Sequence, residues 1–579
     1  MEKKKNQKTP EWHRDLVLIS KNTFVWLEQL SRKYQRTIST LDQIPADEIE
    51  YLKSFGINGI WLIGIWKRSQ ASRKIKGMYG RKNLIASAYS IYEYSIAEEI
   101  GGEDAYEKFK QLANRYDLHV GCDMVPNHTG IDAPWVINHP DWFISSDKKL
   151  NEEWTYTSEN LSSSPGIKIQ LEDGYYNQTK AAEIFKYQNI KTGEKKYIFH
   201  GNDGTSMPWN DTAQLNYLVE DVRTAMKEEI FKAAKKFEII RLDAAMTLIK
   251  RHFKRLWFPD KDGKNHIPYR DSFTMSQEEF DRKMPDEFWA EVMKKLTVHV
   301  PATLMLAEAF WLMERYFVKE LGMHRVYNSA FMNQLRDEDN SAFQNYLSEI
   351  LDSDPILLEK FVNYMTTPDE ETAIKQFGNS DKYFGVCGFM ASMPGLPMFG
   401  HGQLEGFSEK YSMDLKNPIM QELPDQQLIS DHYRLIAPLL KNRHRFAGSD
   451  NFRLLKFQLS NGEKDDNVFV FSNRFQNEQS LVIFNNQDKQ IRGTIALPSP
   501  GKEISHKSLE NSGDLFSLKV FNKNDWTLSL SEIRTNQSII LDRDKLKNQL
   551  PFKLAPYELL VFDVKGKKIK QVSDNPGGP

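Results

Sequence analysis

The chain has 579 residues, 40% of them hydrophobic and 27% charged, with a formal net charge of −2. That length suits two or three domains, and the composition is that of an ordinary globular enzyme. So small a charge imbalance gives no bulk attraction to nucleic acid or an anionic membrane, and no run of about 18 apolar residues is present to span one.

The first residues are polar, with lysines at 3–5 that read as a solvated face, and they lack the apolar core of a secretory signal. Residues 1–21 are expected to form a tail. Cys122 and Cys387 are the only cysteines, far apart and each within an apolar stretch. They read as small buried hydrophobes, and a reducing cytoplasm fits them. The chain carries 12 Trp, 23 Tyr and 34 Phe, enough to fill a core and still line a sugar cleft, where ring faces pack on pyranoses.

From about residue 22 to 440, short apolar runs alternate with amphipathic segments. Residues 23–30 (TFVWLEQL) read as the first strand, followed by a helix near 46–55 and a second strand in 56–66. A helix at 102–116 leads to LHVGCDMV, a helix at 220–236 to EIIRLDA, and a helix at 286–299 to ATLMLAEAF. RVYNSAF, LEKFVNYM and GLPMFGHG continue the pattern. About eight such units imply a parallel (β/α)8 barrel. The rhythm breaks at 129–217, too long to be a plain loop and so expected to be an insertion with structure of its own. From 441 to 566 short strands separated by turn residues imply an all-β sandwich, and 567–579 a second tail.

Charge interrupts the apolar strands at four places. Asp123 follows LHVGC, Asp243 follows EIIRL, Glu308 follows TLMLA and Asp369 closes VNYMTTP. Carboxylates are seldom buried without a partner or a function, and in such a barrel the strand C-termini meet at one mouth. Glycoside hydrolysis, metal binding and proton abstraction all use that arrangement. Only His128 lies on these segments and no HExxH is present, which argues against a metal. His401 and Glu405 in GHGQLEG are too few to suggest one.

These segments resemble the four signatures of the α-amylase superfamily, glycoside hydrolase family 13. DMVPNH (123–128) looks like the first, RLDAA (241–245) like the second, LAE (306–308) like the third and PDE (368–370) like the fourth. The resemblance implies a retaining α-glycosidase acting on α-1,4-glucans or maltooligosaccharides. It assigns Asp243 as nucleophile and Glu308 as acid/base. It gives Asp369 to the hydroxyls of the distorted sugar, and Arg241 to holding the nucleophile ionised. Tyr89 would stack beneath the sugar and His128 would hydrogen-bond it, while Asp123 and Asn127 shape the adjoining loop. No cofactor is required, although in many relatives the counterpart of Asn127 ligates a structural calcium ion. No nucleic-acid or membrane partner is implied, and oligomeric state is left open.

The chain departs from the family pattern at four points. Pro368 stands where a histidine usually precedes the fourth-signature aspartate, and Met246-Thr247 where true amylases often carry Lys-His. Ile239 and Ala88 each replace a glycine. These changes keep a maltosyltransferase-like transglycosylase as the alternative, with a catalytically silent carbohydrate-binding relative behind it.

Overall fold

The computed structural model describes residues 10–78, 83–177, 182–204, 208–260, 269–310, 313–496, 526–542 and 549–568. The lysines at 3–5 and most of the expected C-terminal tail lie outside them. Eight parallel strands close into a barrel: β1 (Leu18–Asn22), β2 (Gly59–Ile63), β3 (His119–Met124), β4 (Ile239–Leu242), β5 (Leu304–Ala307), β6 (Arg325–Tyr327), β7 (Phe361–Tyr364) and β8 (Leu396–Phe399). Each pairs with the next, and β1 closes on β8. Among the described residues no helix is long and apolar enough to cross a membrane.

The first strand is the one expectation the fold overturns. Residues 23–33 form a helix, Thr23–Lys33, capped by the Asn22 side chain, and the strand lies just before it. All five residues of β1 are buried, Ser20, Lys21 and Asn22 included. Those polar residues hid the strand, since at the barrel mouth they are buried by pairing and not by apolarity. Residues 18–21 therefore belong to the barrel and not to a tail, as does the short helix Trp12–Asp15 before them.

Ile239 is accommodated by its neighbours. It sits opposite Gly121 in the β3–β4 register, and a Cβ on Gly121 would stand 2.9 Å from the Ile239 Cβ. The space a glycine would have left in β4 is supplied by Gly121 of β3, so packing changes and the strand pair survives.

The insertion builds a four-stranded antiparallel sheet from Ile167–Gln170, Ile184–Asn189, Lys195–Phe199 and Ser145–Ser146. It closes where His128–Gly130 pairs antiparallel with Thr212–Gln214. The C-terminal domain packs a six-stranded sheet on a three-stranded one. Val468, Val470, Leu481 and Ile483 face the smaller sheet, while the alternate residues Phe469, Phe471, Val482 and Phe484 join the barrel core. That period of two is what lets one sheet serve two cores. Gly385 and Gly388, one turn apart on the helix Asp381–Ser392, allow the close approach: a Cβ on either would stand within 2.6 Å of Tyr557, Phe484 or Leu559.

Candidate active site

Register places the first pair. Arg241 of β4 lies opposite Asp123 of β3, and its Nη1 donates to Asp123 Oδ1 at 3.1 Å. Asp243, two residues on, points to the same side, and Nη1 also donates to its Oδ1 at 2.5 Å. Glu308 follows β5 and meets the other nitrogen, Nη2 to Oε2 at 2.8 Å. One guanidinium, 1% exposed, thus grips three carboxylates. Burial opposes the cation, yet Glu308, with Tyr89, Tyr327 and Asp243, holds Arg241 well above its ordinary range.

The next residue shapes the surroundings of Glu308. Ala244 adopts φ 43° and ψ 41°, the left-handed region that a residue with a Cβ enters at a cost of about 1 kcal/mol or more. That turn aims its N–H at Glu308 Oε2, 2.8 Å away. Oε2 therefore accepts from two donors, and a proton on Glu308 is left to Oε1. Burial pushes the Glu308 carboxyl up to about 8; Arg241 opposes this, and the charges of Asp243 and Asp369 add to it. A carboxyl raised in this way is suited to donating a proton.

Asp123 is fully committed inside the barrel. Its Oδ2 accepts from Trp61 Nε1 at 3.0 Å, its backbone carbonyl accepts from Trp66 Nε1 at 2.6 Å, and burial raises its carboxyl to about 7. His128 is buried and neutral because desolvation lowers its pKa. Its Nε2 lies 3.1 Å from the Tyr89 carbonyl, which can only accept, so Nε2 carries the hydrogen. His128 thereby ties Tyr89 to the end of β3, and a sugar would have to displace that bond to use the donor. The Tyr89 ring lies 5.6 Å from the Arg241 guanidinium carbon, and its hydroxyl has no partner among the described residues.

Asp369 is brought to the same mouth on the turn after β7, and it is the open member of the group. It is exposed by surface area, yet the surrounding rim desolvates it enough to raise its carboxyl, an effect that solvent access tempers. Its N–H donates to Thr367 Oγ1 at 3.3 Å, and Lys410 Nζ donates to its carbonyl at 2.6 Å.

Calcium takes six to eight oxygen ligands. Here Asn127 and Gln214 form a reciprocal amide pair, at 3.2 and 3.0 Å. The Asp132 oxygens accept from Ser69 Oγ and the Ala71 N–H. Among the described residues no three His, Cys, Asp or Glu gather, and the Asn127 amide is taken up by Gln214. His401 is likewise occupied: Nδ1 accepts from the Asn22 N–H and Nε2 faces Gln29 Oε1, while Glu405 pairs with Lys21.

Met246 and Thr247, at the positions that carry Lys-His in many amylases, are buried. The Thr247 hydroxyl donates to the Ala244 carbonyl at 2.7 Å. The residues that sequence reasoning missed are Trp61, Gln214 and Lys410. Trp61 was hidden in an apolar strand whose inward face is not marked; Gln214 ends the short strand Thr212–Gln214 and Lys410 lies on the loop after β8, and neither stands out in its local sequence. A cavity of about 680 Å³ is lined by Arg32, Asn83, Ser412 and Leu415. None of the clustered carboxylates lines it, so we place the chemistry at the mouth.

Residues 29–382 match the family model described as the alpha-amylase catalytic domain. Maltase A1 of Drosophila melanogaster is 22% identical over 336 residues, covering 54% of this chain and 52% of its own. The chain thus spans about half the length of that curated relative. An alpha-amylase from Geobacillus thermoleovorans, solved with acarbose, superposes with a TM-score of 0.60 at 14% identity, over 96% of this chain and 99% of its own. A noncanonic maltogenic alpha-amylase from Thermotoga neapolitana gives 0.57 at 15%, over 95% and 98%. At such identities the likeness establishes the shared fold.

Proposed function

The chain belongs to the alpha-amylase family, and from that premise we propose that it is a retaining α-glycoside hydrolase acting on α-1,4-glucans or maltooligosaccharides. The observation that carries this reading is the single buried guanidinium bridging Asp243 and Glu308. Retention uses two carboxyl groups about 5–5.5 Å apart, whereas inversion leaves about 6.5–9.5 Å for a water molecule. A bridge one guanidinium wide agrees with the shorter separation.

In the first step Asp243 Oδ2, the oxygen Arg241 leaves unbound, attacks the anomeric carbon. The glycosidic bond breaks as its oxygen takes the proton from Glu308 Oε1, and a β-glycosyl ester forms on Asp243. In the second step the Glu308 carboxylate takes a proton from water. The water oxygen attacks the anomeric carbon and the ester to Asp243 breaks, restoring both groups. Arg241 aligns the Asp243 carboxylate before attack and receives it back as leaving group. Asp369 holds hydroxyls of the distorted sugar from the open side, and Tyr89 packs beneath it. No cofactor is required, and the two buried free cysteines fit a reducing cytoplasm.

The buried Met246 and Thr247 favour a second reading at the same glycosyl-enzyme, transfer to a sugar hydroxyl instead of water, because polar contacts to a leaving-group sugar are absent from those positions. Incubation with maltoheptaose followed by chromatography separates the two. Only shorter products are expected of the hydrolase; products longer than the substrate establish transfer. If no α-glucan is altered, the proposed activity is wrong.

A further inference from the structure

The turn after β7 is poor in donors. Pro368 has no N–H, and the Thr366 hydroxyl is spent on the Glu371 carbonyl at 2.8 Å. Among the described residues, the side-chain donor that reaches Asp369 comes from outside the turn: Lys410, on the loop after β8.

That loop is built to hold a position. The Glu409 carboxylate accepts from the Ile419 and Met420 N–H groups at 2.7 and 2.6 Å. Glu422 accepts from the Ser408 and Glu409 N–H groups at 2.8 and 3.0 Å. At its root, Gly400 lets β8 close on β7, since a Cβ there would stand 2.3 Å from Thr366 Cγ2. Lys410 and Pro368 line one narrow cavity of about 40 Å³ with Thr366, Glu370 and Glu409, room for a few waters and not for a pyranose. Although two carboxylates line that cavity, Lys410 makes no ion pair among the described residues; its ammonium goes to the Asp369 carbonyl.

We propose that Lys410 is the positioning residue for Asp369, its ammonium tying the turn after β7 to the loop after β8 and setting the charge state in which Asp369 meets the sugar. This rests on the glycosidase reading above. The groups facing Asp369 are Arg241 and Asp243 from β4, Glu308 from β5, Tyr89 before β3, and Lys410. Arg241 and Lys410 favour the ionised form while Asp243 opposes it, so losing Lys410 raises the pH at which Asp369 titrates.

The test uses the full chain labelled with 13C-carboxyl aspartate, with Asp369→Asn to identify the resonance. In Lys410→Met the Asp369 midpoint is expected to rise by about half a pH unit or more. The acidic limb of kcat/KM on maltotriose should move the same way, with kcat/KM about tenfold lower. Lys410→Arg should restore both. An Asp369 midpoint unchanged in Lys410→Met overturns the proposal, and so does a loss of melting temperature with no such change, the mark of a merely structural lysine. If wild type cleaves no α-glucoside, the function reading fails on its own, and the resonance still decides the role of Lys410.

Discussion

Two arginines, buried at opposite ends of the barrel, solve the same problem differently. Arg241, at the C-terminal mouth, is surrounded by Asp123, Asp243 and Glu308 and is held well above its ordinary pKa. Arg443, 2% exposed at the N-terminal end, donates to the carbonyls of Ala391, Met393 and Gly395, and burial lowers it to about 9. Neighbouring Arg325 likewise reaches the carbonyls of His324 and His13. Carbonyls satisfy a buried cation without titrating, so the lower end is quiet across the physiological range. Carboxylates satisfy it too, but they repel one another, and that repulsion joins burial in keeping Glu308 protonated. The lower end has the chemistry of a scaffold, and the upper end gathers the groups to which the proposed mechanism gives the roles of acid and nucleophile.

Substitutions should separate these roles. The largest effect is expected at Asp243: Asp243→Asn should lower kcat at least about 10⁴-fold while the melting temperature changes little. Next is the contrast of arginines. Arg241→Met leaves three carboxylates without their cation and should cost about 3–5 kcal/mol in denaturant unfolding, together with an upward move of the alkaline limb of the pH–rate profile. Arg443→Met should cost about 1–3 kcal/mol by orphaning carbonyls, with the pH–rate profile unmoved. Equal movement of that profile in both variants would erase the distinction between the two ends.

The pH dependence of stability gives a third contrast. At the lower end His13 and His324 have pKa values lowered by burial to about 4 and about 3. Unfolded imidazoles bind protons near 6.5, so the unfolded state gains protons first. Stability should fall as pH drops from 6.5 towards 4, by up to about 3 kcal/mol for His13, and His13→Gln should flatten the slope. At the upper end the raised Glu308 carboxyl acts in the opposite sense. Unfolded glutamate loses its proton near 4.5 and the folded group only near 8, so stability contributed by this site falls as pH rises through that window. Glu308→Gln should remove that decline, a comparison best made in chemical denaturation at pH 5 and pH 8. The smallest effect is expected at Ala244, where Ala244→Gly should stabilise by no more than about 1 kcal/mol by relieving the left-handed backbone.

The sequence was most legible where physics repeats. Helices such as Glu220–Lys236 and strands such as Leu304–Ala307 follow apolar periodicity, and a carboxylate closing an apolar strand marks the barrel mouth. It was least legible where burial is earned by polar pairing. Ser20 and Lys21 read as a tail because nothing local signals that Lys21 will meet Glu405, 384 residues away. Gln214 and Lys410 act through partners from distant segments for the same reason. The compensation of Ile239 by Gly121 is also invisible until β3 and β4 are paired, since nothing local to Ile239 points to Gly121.

The most direct test of the division of labour between Asp243 and Glu308 is to trap the glycosyl-enzyme. A 5-fluoro-α-glucosyl fluoride should form its ester quickly and lose it slowly, leaving an adduct visible in the intact mass. Peptide mapping should place that adduct on Asp243, and Asp243→Asn should form none. An adduct on a different residue, or steady hydrolysis of maltooligosaccharides by Asp243→Asn at the wild-type rate, would contradict the account.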